Sequence, residues 1–99
     1  MACGKRVIAT NYSAHTEFCT ADNSILINGD HREVAYDGKW FHGEGGMWFK
    51  HNADTLSQLS QAMISVHEQG KSVNRQGIVT ARRFSWKNSA NKICEALNV

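Results

Sequence analysis

Two short apolar runs rich in branched residues lie close together near the start of this 99-residue chain: Arg6–Thr10 (RVIAT) and Ser24–Ile27 (SILI), joined by a polar connection. Continuous apolar runs of this length are the pattern of strands buried on both faces, which parallel sheets covered by helices require. The connection includes Ser13, a residue type that caps helices, so a short helix over Ser13–Cys19 is expected, with Phe18 facing inward. The opening of the chain thus predicts an α/β unit with a short parallel sheet.

From Asn28 to Lys50 the pattern becomes irregular, with Gly29, Gly38, Gly43, Gly45 and Gly46 interrupting a cluster of aromatics. Asp37-Gly38 supplies the positive φ of a tight type I′ turn, which predicts a hairpin with arms Glu33–Tyr36 and Lys39–Phe41. A further extended piece is expected at Met47–Phe49.

Beyond Lys50 the period turns helical. Asn52 or Asp54 caps a helix whose apolar residues Leu56, Leu59, Met63 and Val66 recur at three- and four-residue steps, with a stop at Gln69-Gly70. A second helix over Ser72–Arg83 carries Val73, Gly77, Thr80 and Ala81 on a narrow side suited to close packing. Ser85 caps a third, whose inner face is Trp86, Ala90, Ile93, Cys94 and Leu97. The whole, 1–99, reads as a single domain: a partial Rossmann-like α/β unit with a short parallel sheet, a hairpin and three C-terminal helices.

A formal net charge of +2, with cations scattered among acids, gives no basic stripe to neutralise a phosphate backbone and argues against nucleic-acid binding. Cys3, Cys19 and Cys94 are odd in number and widely spaced, which suits reduced thiols better than a disulfide framework or a zinc ribbon. With no leader-like segment and no apolar run approaching twenty residues, a cytoplasmic protein without a membrane span is expected.

The two ends of the chain resemble the C-terminal, donor-side domain of retaining, nucleotide-sugar-dependent glycosyltransferases of the GT-B fold. Met1-Ala2-Cys3-Gly4 is similar to the tail of a helix in that family, Val7–Thr10 to the strand after it, Asn11–His15 to its small polar loop, and Thr16-Glu17 to its Thr-Glu pair. Near the other end, Arg83-Phe84-Ser85-Trp86 followed by Ala90 looks like the family's "FSW" helix start. The resemblance implies that the family's donor-binding acidic motif, on a helix N-terminus suited to a diphosphate, would fall before Met1. It therefore implies a scaffold truncated ahead of the chemistry. No catalytic residue and no cofactor is expected, and weak nucleotide-sugar affinity is expected through Asn11, Tyr12, Ser13, His15 and Glu17, the loop at the carboxyl end of the first strand. The same polar residues also serve as ordinary turn and capping groups, and Glu17 reads as an orienting acid more than a catalyst.

Other constellations are weaker. Five histidines (His15, His31, His42, His51, His67) lack the short spacing of zinc ligands; His42, Glu44 and His51 come nearest, and no metal site is expected. Cys19 with His15 has the spacing of one helical face but no feature that lowers a thiol pKa. Gly43-Glu44-Gly45-Gly46 lacks the lysine of a phosphate loop and reads as a flexible turn. Trp40, Phe41, Trp48 and Phe49 form either a sugar-stacking surface or the core under a long loop. Two functions follow: a glycosyltransferase-like fragment inactive alone, or a small interaction module. Because a truncated unit leaves apolar area uncovered, a homo-oligomer, a dimer closing the open sheet edge, is expected in either case.

Overall fold

The structure, a computed structural model, describes residues 1–99. It is mixed α/β, with the order of elements expected: a short parallel sheet, an antiparallel hairpin and three helices. Strands β1 (Ile8–Thr10) and β2 (Ile25–Ile27) pair in parallel with Ile8 beside Ile25 and Thr10 beside Ile27. Parallel neighbours need a long crossover, and 11–24 provides it. Only Ala14–Glu17 of that crossover is helical, as a single 3₁₀ turn.

The Ser13 cap does not form. Ser13 sits at φ 73°, ψ −161° and makes no side-chain cap bond; instead its carbonyl accepts from the Thr16 hydroxyl and backbone N–H. That tight closure leaves no room for the longer helix over Ser13–Cys19. Phe18 is correspondingly turned outward, edge-on to Phe84 with ring centres 5.9 Å apart, and Cys19 takes the buried place.

The hairpin differs from expectation in its second arm. Strand β3 (Arg32–Tyr36) pairs with β4 (His42–Phe49), so Lys39–Phe41 belongs to the loop, Gly43–Gly46 is strand and not turn, and Met47–Phe49 is the end of β4. The cause is Asp37: its Oδ1 accepts from the backbone N–H of Lys39, Trp40 and Phe41 at 2.8–2.9 Å, while its own N–H donates to the Phe41 carbonyl. An aspartate that satisfies three backbone donors stabilises a wider loop than a two-residue turn. Within β4, Gly43 and Gly45 carry φ of +86° and +78°, and the register shifts opposite Ala35.

Helix α1 (Ala53–Glu68) opens with a reciprocal capping box between Asn52 and Thr55 and packs on β1 and β2. Its inward residues are Thr55, Leu59, Ala62 and Val66, so the face is rotated from the expected one and Leu56 and Met63 are exposed. The capping box fixes that rotation by burying Thr55. Helix α2 (Arg75–Arg83) begins later than Ser72 because Asn74 is its cap, accepting from the Gly77 N–H at 2.8 Å; Val73 lies outside it and is exposed.

Asn74 and Asn23 form the buried polar joint of the fold. Asn74 donates to the carbonyls of Asn23 and Lys5, and its N–H donates to Gly4. Asn23 donates to the Phe18 carbonyl and the Thr80 hydroxyl, and accepts from Thr20 N–H and the Ser24 hydroxyl. The chain start, the crossover and α2 are thereby tied through backbone groups that would otherwise be orphaned.

Helix α3 (Trp86–Leu97) is capped by Ser85 as expected, but it has no inner face: none of its residues is buried, and Trp86, Ile93 and Leu97 are open to solvent. The radius of gyration is 16.9 Å, against about 13 Å for a compact domain of this length. The accessible surface is 7729 Å², against about 5,700 Å² for a compact protein of 11.1 kDa. Roughly 2,000 Å² is thus exposed beyond the norm. No helix is long and apolar enough to cross a membrane.

Candidate functional site

Strand β1 ends at Thr10 and delivers the next residues over the carboxyl end of the parallel pair. Tyr12 spans from there to the hairpin: its hydroxyl donates to the Met47 carbonyl at 2.9 Å and its ring lies 6.4 Å from Phe49. The Arg32 guanidinium sits 4.1 Å from the Tyr12 ring centre and 5.3 Å from that of Phe49, an arrangement favoured by the negative ring faces. Arg32 is held in place by donating to the Gly29 and His31 carbonyls at 3.0 and 2.8 Å. Its side chain therefore acts as the bolt between hairpin and sheet.

Beside this junction runs an open groove of roughly 400 Å³. Tyr12, Ser13 and His15 form one wall and Glu33, Trp48, Phe49 and His51 the other. His15 Nε2 meets the Thr10 carbonyl, which makes that nitrogen an N–H donor. His51 meets the Thr55 hydroxyl through Nδ1 and stacks edge-on to Phe49, ring centres 5.0 Å apart. Ser13 holds a backbone conformation that non-glycine residues rarely adopt, and strain of this kind gathers at binding loops.

Three of the five sequence candidates, Tyr12, Ser13 and His15, thus share one groove. Asn11 stands apart, extending the sheet by donating from its N–H to the Ile27 carbonyl and from its side chain to Asn28 Oδ1 at 2.8 Å. Glu17 is exposed at the end of the 3₁₀ turn and makes no ion pair. The aromatic cluster divides: Phe49 is half-buried, packed so tightly that a Cβ on Gly29 would stand 2.8 Å from its ring, whereas Trp40, Phe41 and Trp48 are exposed. Sequence reasoning passed over Arg32, placed Glu33 only as a hairpin residue and weighed His51 only as a weak metal candidate. The pairing of Arg32 with Phe49 and Glu33 with Trp48 was the available signal, and it required the correct hairpin arm.

The groove holds one carboxylate, two imidazoles and flat rings, with no second carboxylate and no nucleophile beside a base. No group of three or more His, Cys, Asp or Glu side chains converges to hold a metal ion, and Cys3, Cys19 and Cys94 are unbridged. The lining thus offers aromatic faces and hydrogen-bonding groups side by side. No protein-family model, curated protein or solved structure matches the chain.

Proposed function

We propose that the chain is a glycosyltransferase-like, donor-side fragment that binds a nucleotide sugar weakly in the groove after β1 and transfers nothing by itself. The observation that supports it is the meeting of Tyr12, Ser13 and His15 with Trp48 and Glu33 at the carboxyl end of a parallel strand, where α/β sheets bind ligands. A ring stacked on Trp48 would place hydroxyls within reach of Glu33 and the free nitrogen of His15. The test is an NMR titration of the ¹⁵N-labelled chain with UDP- and GDP-sugars. Shifts confined to Tyr12, Ser13, His15 and the Trp48 indole, with a Kd of about 1 mM, are expected. Absence of shifts at ligand concentrations well above that, or turnover of the sugar nucleotide, would overturn the proposal.

A second reading, an interaction module that self-associates, is favoured by a separate observation. Helix α3 lies uncovered, with Trp86, Ile93 and Leu97 open to solvent, and clustered exposed apolar side chains mark interaction surfaces. The two readings are compatible, since the groove and α3 are different parts of the molecule.

A further inference from the structure

Helix α3 turns its polar side toward the end of α2. The concavity between them is lined from α3 by Asn88, Ser89, Asn91, Lys92 and Glu95, and its apolar residues take no part in it. At about 100° per residue, Trp86, Ala90, Ile93, Cys94, Ala96 and Leu97 fall on one arc of about 160° broken only by Ser89. Trp86 is 93% exposed, and Ile93 and Leu97 are open to solvent beside it. The borders of that arc are basic: Lys87 adjoins it on the Cys94 edge and Lys92 on the Ala96 edge, while Glu95 falls opposite Trp86. Arg82 and Arg83 stand just ahead, in the last turn of α2. From 82 onward, Arg82, Arg83, Lys87 and Lys92 face a single acidic side chain, Glu95. None of them is ion-paired, for the ion pair of the structure joins His31 and Asp30.

We infer that α3 docks on the surface of an anionic phospholipid bilayer, lying in its plane with Trp86, Ile93 and Leu97 entering the boundary between headgroups and acyl chains. The inference goes beyond both readings of function and depends on neither, since the groove after β1 stays free. An apolar arc with cations at both borders and the acid at the back is the pattern of a helix that lies in such a boundary. Lysine stems cover apolar surface while their ammonium groups reach lipid phosphates, and an indole suits this depth because its ring is apolar and its N–H polar. The 12 residues of α3 measure about 18 Å, too short to cross a hydrocarbon core of about 30 Å and long enough to lie on it. Charge selects this occupant over a second copy: two such helices face to face would set cations against cations, whereas anionic headgroups neutralise them.

Co-sedimentation of the full chain with lipid vesicles tests it. Binding to equimolar phosphatidylserine and phosphatidylcholine is expected to exceed binding to phosphatidylcholine alone by at least about tenfold and to fall as salt rises. Trp86→Ala should weaken it about tenfold. Lys87→Glu with Lys92→Glu should weaken it at least about 100-fold, and Asn91→Ala, on the polar side, should bind as the wild type does. All four positions are exposed, so helix content by circular dichroism should stay unchanged. Absence of binding at about 1 mM lipid, roughly tenfold beyond the half-point of a single-acyl-chain anchor, would overturn the inference. Equal binding to neutral vesicles, or binding indifferent to Trp86→Ala and to the charge reversal, would do the same. So would a dimer in sedimentation equilibrium that Trp86→Ala dissolves, seen without vesicle binding, which would assign the apolar arc to a second copy.

Discussion

The side chain of Asn74 donates to the backbone carbonyl of Asn23 at 2.8 Å, and both residues are almost wholly buried. Through that bond the cap of α2 and the crossover between the parallel strands become one unit, because Asn74 also bonds the backbone of Lys5 and Gly77, and Asn23 that of Phe18 and Thr20.

Asn74→Ala removes a helix cap and leaves the carbonyls of Asn23 and Lys5 without a donor. We expect a loss of about 2–4 kcal/mol, read by urea denaturation with an unchanged m-value. Asn74→Asp keeps the cap acceptor but loses the donor, and should fall between the wild type and alanine.

Ser13 is expected to behave in the opposite direction. Glycine adopts its positive-φ backbone without cost, so Ser13→Gly should stabilise by about 1 kcal/mol. Ser13→Ala should be nearly neutral, because the hydroxyl caps nothing. Thermal unfolding of the two variants separates backbone relief from side-chain loss.

The Asp37 carboxyl is held below the ordinary carboxylate range, first by the Phe41 N–H and then by those of Lys39 and Trp40. A depressed folded-state pKa stabilises the loop fully above the unfolded value of about 4, and that contribution is lost as pH falls through the folded value. The hairpin loop of the wild type should therefore loosen in acid below about pH 4, seen as collapsing amide shift dispersion at 38–41. Asp37→Asn retains an acceptor without the titration, and its loop spectra should be flat over the same window.

Tyr12→Phe removes one partly exposed hydrogen bond and should cost about 0.5–1.5 kcal/mol. Tyr12→Ala also removes the ring beneath Arg32 and should free the hairpin from the sheet. Faster amide hydrogen exchange in β3 and β4, with β1, β2 and α1 little changed, is the expected outcome.

How much of this could be read from residues alone follows from where the local signals were unopposed. Ile8–Thr10 and Ile25–Ile27 form strands because nothing competes with a branched apolar run. Helix α1 was visible by period, but its rotation was set by Thr55, a polar residue buried through its capping bonds, which an apolar count passes over. Asp37 held the same ambiguity: beside Gly38 it signals a tight turn, and only its three backbone partners reveal a wider loop. The groove was half legible: the residues after β1 stood out as a polar loop at a strand end, while Glu33 and Trp48 reach it through strand pairing and His51 through the segment between β4 and α1. Asn23 and Asn74 gave no sign of belonging together, for side-chain bonds spanning 51 positions leave no periodic trace.

The left-handed glycines of β4 bear on how concentrated solutions of this protein behave. A neighbouring molecule adding itself along that strand would need an unbroken row of extended donors and acceptors, and Gly43 and Gly45 interrupt the row near its start. Exposed aromatics on both sides of the hairpin would otherwise invite chain after chain to zip into filaments. Replacing both glycines with valine would straighten the strand and favour fibrous assembly, read as a rise in thioflavin fluorescence.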